Sequence, residues 1–289
     1  MNEWTIEAVL RWAADDFHTR KIESSRLDAE VLLAFALGTT RIGLVMEGKK
    51  PLAPDELAKF RELVKRRRTH EPVAYLRGER EFYGRTFKVD RRVLVPRPDT
   101  ETLVEVALHR SRRVSMSMRA LDLCTGSGCV AVSLARERPT ASVVATDVSP
   151  DALAVARDNA LRLGAYNLSF VQGDLFAACA PGATFDVVVA NPPYIASGEI
   201  PTLMADVRDF EPKLALDGGG DGLDLVRRIV TEAPKHLAPL GLLALEIGYG
   251  QAAAVAELFE AAGFTEVERA KDYGRIERVV SGIWNAGSV

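Results

Sequence analysis

Cysteine is scarce in these 289 residues: Cys124, Cys129 and Cys179 are an odd number, without the paired spacing of metal ligands. That excludes a disulfide framework, argues against any metal site and fits a reducing compartment. An excess of positive charge is also missing. Lys plus Arg number 37 against 40 Asp plus Glu, a formal net charge of -3, so nucleic acid is not the expected main partner and none is expected to be obligatory. No apolar run approaches the roughly 18 residues of a membrane span. The start, MNEWTIEAVLRWAADD, lacks the basic flank, long apolar core and small-residue cleavage site of a secretory signal. The expectation is a cytoplasmic protein without membrane contact. Internal repeats and low-complexity stretches are absent too, and nothing speaks for oligomerisation, so a monomer is the simplest expectation.

What remains is an ordinary globular composition, 47% hydrophobic and 27% charged, which excludes disorder across the whole chain. At about 150 residues per domain the length suggests two domains. The first 70 residues read as three amphipathic helices forming a small bundle. Thr5 caps a segment with Ile6, Val9, Leu10 and Ala13 on one face. Ser25 with Asp28 makes a capping-box pattern before Leu27, Val31, Ala34 and Phe35, with Gly38 as the stop. Pro54 suits a first helical position before Leu57, Phe60 and Val64. From Glu71 onward aromatic and β-branched residues alternate with charge, which predicts a hairpin linker. The expected division is 1–74, 75–97 and 98–289. The short basic runs Lys65 to Arg68 and Arg110 to Arg113 read as solvated helix faces, with a modest nucleic-acid contact as the alternative.

Beyond residue 118, strand-like runs (Ala120 to Leu123, Ser142 to Thr146, Leu168 to Val171, Val187 to Ala190, Leu242 to Ile247) alternate with helical stretches. The helical stretches are Val130 to Ala135, Ala152 to Leu163, Leu223 to Leu237 and Ala252 to Ala262. Such alternation requires crossover helices and predicts an α/β fold with a mostly parallel, doubly wound sheet. Glu266 to Arg269 and Glu277 to Ile283 would add an antiparallel hairpin at its edge.

Four strand ends carry the candidate chemistry. The first runs into Cys124-Thr125-Gly126-Ser127-Gly128, and Gly126, Gly128 and Ala131 satisfy the nucleotide-loop pattern G-x-G-x-x-[G/A], although a merely structural turn reads the same way. The second ends at Asp147, 21 residues after Gly126, where a carboxylate suits the two hydroxyls of a ribose; a helix-start acid before Ser149-Pro150 is the alternative. The third leads to Asp174-Leu175-Phe176, an acid with backbone amides able to read adenine while Leu175 or Phe176 packs the ring. The fourth leads to Asn191-Pro192-Pro193-Tyr194, the most specific signal in the chain. Its two prolines remove two N–H donors and make a rigid turn that presents carbonyls. Asn191 through its side-chain oxygen and Pro192 through its backbone oxygen could then hold the two N–H groups of a planar NH2 against an electrophilic methyl, with Tyr194 packing on the plane. The cysteines fit as small residues rather than nucleophiles, and His18, His70, His109 and His236 are expected at the surface or at caps. Glu246, before Gly248-Tyr249-Gly250-Gln251, is a further site candidate.

Over nearly its full length the chain resembles the release-factor glutamine methyltransferases, the HemK/PrmC family. The resemblance is carried by Arg26 to Glu30 with Leu32-Leu33, Pro72 to Gly84, Val95-Pro96-Arg97-Pro98-Asp99-Thr100-Glu101, Asn191 to Tyr194, and Glu211-Pro212 leading to Gly218 to Leu223. It implies a Rossmann-like class I methyltransferase sheet using S-adenosylmethionine and releasing S-adenosylhomocysteine, behind an N-terminal helical domain that helps bind the substrate. It also implies methylation of the side-chain amide nitrogen (N5) of the glutamine in the Gly-Gly-Gln loop of class 1 peptide chain release factors, which modulates translation termination. Carried over residue by residue, Cys124, Thr125, Gly126, Ser127, Gly128 and Asp147 would hold the methionine and ribose moieties. Asp174 and Leu175 match the adenine region. Asn191 borders both ligands, and Asn191, Pro192, Pro193 and Tyr194 match the glutamine site. Cys124 departs from the family, which more often has glycine there; its small side chain should still allow the cofactor to bind.

Asn-Pro-Pro-Tyr by itself is shared with adenine-N6 DNA methyltransferases, but the chain lacks a basic target-recognition domain. A noncatalytic cofactor-binding scaffold would use the same loop without needing Asn191. A nicotinamide dehydrogenase would leave Asn-Pro-Pro-Tyr without a use.

Overall fold

The structure is a computed structural model that describes residues 4–112 and 117–285. Its contacts group into two units, one of residues 1–79 with 204–210, the other of residues 80–203 with 211–289.

The first unit holds α1 (Ile6–Thr19), α2 (Ser25–Leu37), α3 (Arg41–Met46), α4 (Pro54–Arg67) and α5 (Val73–Arg77), two short helices more than the three expected. Ile6, Val9 and Phe17 of α1 close on Leu32 and Leu33 of α2 and on Phe60 of α4, the apolar faces read from helical spacing. Thr5 caps α1, accepting from the Ala8 amide at 3.3 Å. The capping box at Ser25 does not form. The cap residue of α2 is Ser24, the Ser25 hydroxyl donates to the Ile22 carbonyl at 2.8 Å, and Asp28 is drawn into a buried ion pair with Arg67 at 2.8 Å. Gly38 ends α2 with φ of 63°. The basic run is a solvated face only in part: Lys65 and Arg66 are exposed, Arg66 pairing with Glu71, while Arg68 pairs with Asp16 and Arg67 is buried. Of the second run, Arg113 lies outside the described residues, while Arg110 donates to the Ser281 hydroxyl and the Glu266 carbonyl.

The second unit opens within the hairpin of β1 (Glu79–Phe82) and β2 (Arg85–Lys88), followed by α6 (Glu101–Arg110). Then come β3 (Arg119–Leu123), α7 (Cys129–Glu137), β4 (Ser142–Asp147), α8 (Pro150–Arg162), β5 (Leu168–Gln172) and β6 (Phe185–Ala190). The short α9 (Ala205–Phe210) groups with the first unit, and the chain returns through α10 (Asp224–Glu232), β7 (Leu237–Glu246), α11 (Ala252–Ala261), β8 (Phe264–Lys271) and β9 (Glu277–Trp284). The sheet order is β5-β4-β3-β6-β7-β9-β8, with the first five strands parallel and β9 antiparallel to both neighbours. The expected α/β fold and edge hairpin are therefore present. Leu103 and Val104 of α6 and Val130 of α7 cover one face of the sheet; Ile229 of α10 and Phe259 of α11 cover the other. One expected boundary is wrong. The helix foreseen to Leu237 stops at Glu232, where Pro234 tightens the chain into a single turn and β7 begins at Leu237.

Candidate active site

The strand order reverses at β3 and β6, so their carboxyl ends open a crevice at the topological switch point of the sheet. Register brings the candidate residues to that edge. Leu123 pairs with Thr146 and with Ala190, and Ala190 with Leu245, so Cys124, Asp147, Asn191 and Glu246 each follow a residue of one cross-sheet row. A cavity of about 390 Å³ lies there, within the usual range for a small-ligand site. Cys124, Thr125, Gly126, Ser127, Asp147, Asp174, Leu175, Asn191 and Pro193 line it.

The glycine loop is held from beneath. Asp122 is 1% exposed, its carboxylate accepts the Thr125 hydroxyl at 2.6 Å, and burial pushes its pKa up to about 7. Gly128 starts α7 at φ of 80°, and a Cβ there would meet the Ala156 Cβ at 3.0 Å, so both conformation and packing against α8 require glycine. Gly128 is thus a backbone residue beside the cavity and does not line it. Cys124 takes φ of 57°, a left-handed conformation that explains why glycine suits this position. Burial, with Asp147 and Asp122 nearby, raises its thiol well above the ordinary range, so the thiol stays protonated and is no nucleophile.

Asp147 takes the local role expected of an acid before a helix start, and its carboxylate also borders the cavity. One oxygen accepts from the Gly126 amide and the other from the Ser149 amide, each at 2.9 Å, and the Val148 backbone adds a further hydrogen bond, so the carboxylate's acceptor sites are only partly filled. Burial raises its pKa while those amides oppose the shift. Asp174 is tied to Arg228 of α10 at 2.8 Å, and Leu175 is buried at the cavity wall. Phe176 does not pack on the cavity: it is buried in the core and stacks on His236, centroids 4.6 Å apart, while His236 caps the one-turn helix Ala233–Lys235 as expected.

Asn191 and Pro193 face the cavity, whereas Pro192 and Tyr194 are not among its described lining residues. The turn is braced from behind. Gly222, at φ of 79°, lies so close to the Tyr194 carbonyl that a Cβ would come to 2.3 Å from its oxygen, and Gln251 donates to the same oxygen at 3.0 Å. This close approach gives the glycine-rich segment 218–222 its physical use.

Two further residues, Thr100 and the site candidate Glu246, stand next to Asn191 and Tyr194. Thr100, in the one-turn helix Pro98–Thr100, accepts from Asn191 Nδ2 at 3.2 Å. Glu246, flagged only as a candidate, is 1% exposed and its Oε1 accepts from the Tyr194 hydroxyl at 3.4 Å. Arg97 holds Glu211 with one nitrogen at 2.7 and 2.8 Å to the two carboxylate oxygens. The Arg97 to Thr100 segment carries part of the family resemblance, but no spacing within it points to a contact with Asn191, 91 positions away.

Residues 8–78 match the family described as PrmC N-terminal domain, and residues 120–210 match that described as methyltransferase domain. The release factor glutamine methyltransferase of Geobacter sulfurreducens is 45% identical over 279 residues, covering 96% of this chain and 96% of the relative. That of Burkholderia pseudomallei is 47% identical over 261 residues, covering 89% and 91%. A solved methyltransferase from Pyrococcus furiosus shares the fold, with a TM-score of 0.52 at 21% identity over 71% of this chain and 91% of that one.

Proposed function

The chain belongs to the release factor glutamine methyltransferases, and on that premise we propose that it transfers a methyl group from S-adenosylmethionine to the side-chain amide nitrogen of the glutamine in the Gly-Gly-Gln loop of class 1 peptide chain release factors. The observation that carries the reading is the rigid Asn191-Pro192-Pro193-Tyr194 turn, with Asn191 in the wall of the cavity that the glycine loop and Asp147 also line.

The residues present fit the donor. Gly126 leaves open space where a Cβ would stand, Asp147 has free lone pairs at the carboxyl end of β4, and Val148 and Leu175 offer an apolar wall beside Asp174 for a purine. Bound there, S-adenosylmethionine supplies an electrophilic methyl on a sulfonium, which leaves with the carbon–sulfur electron pair returning to sulfur as a neutral thioether. The enzyme's task lies with the nucleophile. An amide nitrogen is weak because its lone pair is delocalised, so Asn191 Oδ1 and the Pro192 carbonyl accept its two N–H groups, orient it and stabilise the positive charge that develops as the N–C bond forms. Tyr194 packs nearby, with its phenol raised by burial and the Glu246 carboxylate and so kept neutral. The surplus proton leaves the nitrogen after transfer, to water, and no general base is assigned.

The helical domain at the N-terminus is assigned to recognition of the release factor. In support, α3 exposes Ile42, Val45 and Met46, an apolar group of the kind that marks protein contact surfaces. No helix among the described residues is long and apolar enough to cross a membrane. The reading is completed by a monomer acting in the cytoplasm without nucleic acid.

Mass spectrometry of an unmethylated release factor after incubation with the enzyme and S-adenosylmethionine should find one methyl group on the loop glutamine. An unmodified glutamine in the presence of bound donor would refute the assignment. Asp147→Ala should weaken donor binding in calorimetry by about tenfold to a hundredfold, the scale of hydrogen bonds to a charged group. Unchanged affinity would return Asp147 to a purely local role at the start of α8.

A further inference from the structure

The usefulness of Asn191 depends on which end of its amide faces the substrate. Oxygen inward accepts the glutamine N–H groups; nitrogen inward opposes donor to donor and repels them. The rigid turn sets where the side chain begins but leaves this twofold choice open. The partner at the other end of the amide decides it, and that partner is Thr100, which accepts from Asn191 Nδ2 at 3.2 Å and is 2% exposed. A hydroxyl has one proton and can serve either amide orientation, donating to Oδ1 or accepting from Nδ2. Its direction must be set by what its own proton finds.

Beside Thr100 lies the carboxylate of Glu246, 1% exposed, whose charged form the Thr100 hydroxyl favours and whose Oε2 is buried without a hydrogen-bond partner. An ionised carboxylate only accepts. A buried acceptor without a partner draws the nearby Thr100 proton toward it, which leaves the Thr100 oxygen to accept from Asn191 Nδ2. We propose that Thr100 and Glu246 are positioning residues that lock the Asn191 amide with Oδ1 toward the substrate nitrogen. The proposal rests on the reading of Asn191 as the holder of the glutamine amide, and it gives a use to Thr100 within the Arg97-Pro98-Asp99-Thr100-Glu101 segment and to a buried acid that the transfer itself does not touch.

The lock is sensitive to pH. Burial raises the Glu246 pKa to about 7, opposed by Thr100 and by Arg278 of β9, reinforced by Asp99 and moderated by the Tyr194 phenol; Cys129 of α7 faces it as a neutral thiol. Below that pH the neutral carboxyl can itself donate to Thr100, the Thr100 proton is released, and Asn191 is free to turn over. Turnover should therefore rise with pH through about 7.

The test compares Thr100→Val, Thr100→Ser and Glu246→Gln with the unaltered enzyme, using a purified unmethylated release factor for kcat, KM and the pH profile of kcat, and calorimetry for S-adenosylhomocysteine affinity. Thr100→Val should lower kcat about tenfold or more, with S-adenosylhomocysteine affinity within about twofold, which also shows that it has folded. Thr100→Ser, which keeps the hydroxyl, should restore most of the loss. Glu246→Gln should have a lower and flat profile without the inflection near pH 7. Full activity in Thr100→Val, a Thr100→Ser as poor as Thr100→Val, or an inflection retained in Glu246→Gln would overturn the lock and leave the glutamine site standing. An unaltered enzyme that binds S-adenosylhomocysteine yet leaves the release factor unmethylated would overturn both.

Discussion

Asn191→Ala is expected to lower turnover on the release factor by about a hundredfold or more, with affinity for S-adenosylmethionine nearly unchanged. The size follows from the loss of one oriented polar group that acts on developing charge in the transition state. The selectivity follows from geometry. The residues proposed to anchor the donor, the glycine loop and Asp147, hold one another through the Gly126 amide and through Asp122 and Thr125, while Asn191 bonds to Thr100. Single-turnover methylation measured beside calorimetric titration separates the two quantities. If donor affinity fell as far as turnover, Asn191 would be a builder of the donor pocket, and the nitrogen-holding role would be lost.

Arg67→Ala should destabilise the helical unit by about 3 to 5 kcal/mol, the cost of leaving a buried charge without its partner. Arg67 Nε donates to Asp28 Oδ2 at 2.8 Å, and their side chains are 6% and 9% exposed. Its Nη1 donates to the Glu71 carbonyl at 3.1 Å, and its Nη2 lies 4.0 Å from Asp206 of α9. Removing the guanidinium strands the Asp28 carboxylate with only the Ser24 hydroxyl, at 2.9 Å. Hydrogen exchange of the α2 and α4 amides reads the loss in that unit directly, and Arg67→Met combined with Asp28→Leu should recover most of it. A loss below about 1 kcal/mol, the range of an exposed pair, would mean that water reaches Asp28 and the pair is not a buried one.

The elements that were legible in the sequence are those whose cause is local. Helical spacing at Ile6, Val9 and Ala13, the left-handed stop at Gly38, Pro54 at a helix start and the β-branched runs of β4 and β6 each act within one turn or one strand. The misreadings have nonlocal causes. Ser25 and Asp28 have the spacing of a capping box, but Asp28 answers to Arg67, 39 residues away. Phe176 stands beside the expected adenine site in sequence, yet the core on the far side claims its ring. Lys65 to Arg68 reads as a solvated stripe, which holds for Lys65 and Arg66, but Asp28 draws Arg67 inward and Asp16 ties down Arg68.

The same division runs through the site. The stiffness of Asn191-Pro192-Pro193-Tyr194 is readable from composition alone, because proline sets φ through its own ring, as are the glycine conformations of the loop, because a Cβ is present or absent whatever the neighbours. The doubly wound sheet is legible as well, since parallel strands need crossovers and crossovers need helices. Only the tertiary structure decided that Asp147, Asn191 and Glu246 stand on one row of the sheet edge, which depends on strand register between segments tens of residues apart. It alone decided that Thr100 meets the Asn191 amide across 91 positions of sequence. Hydrogen bonds of that separation leave no periodicity or spacing to read, because their geometry is set by how α6, β6 and β7 pack and not by any short stretch of chain.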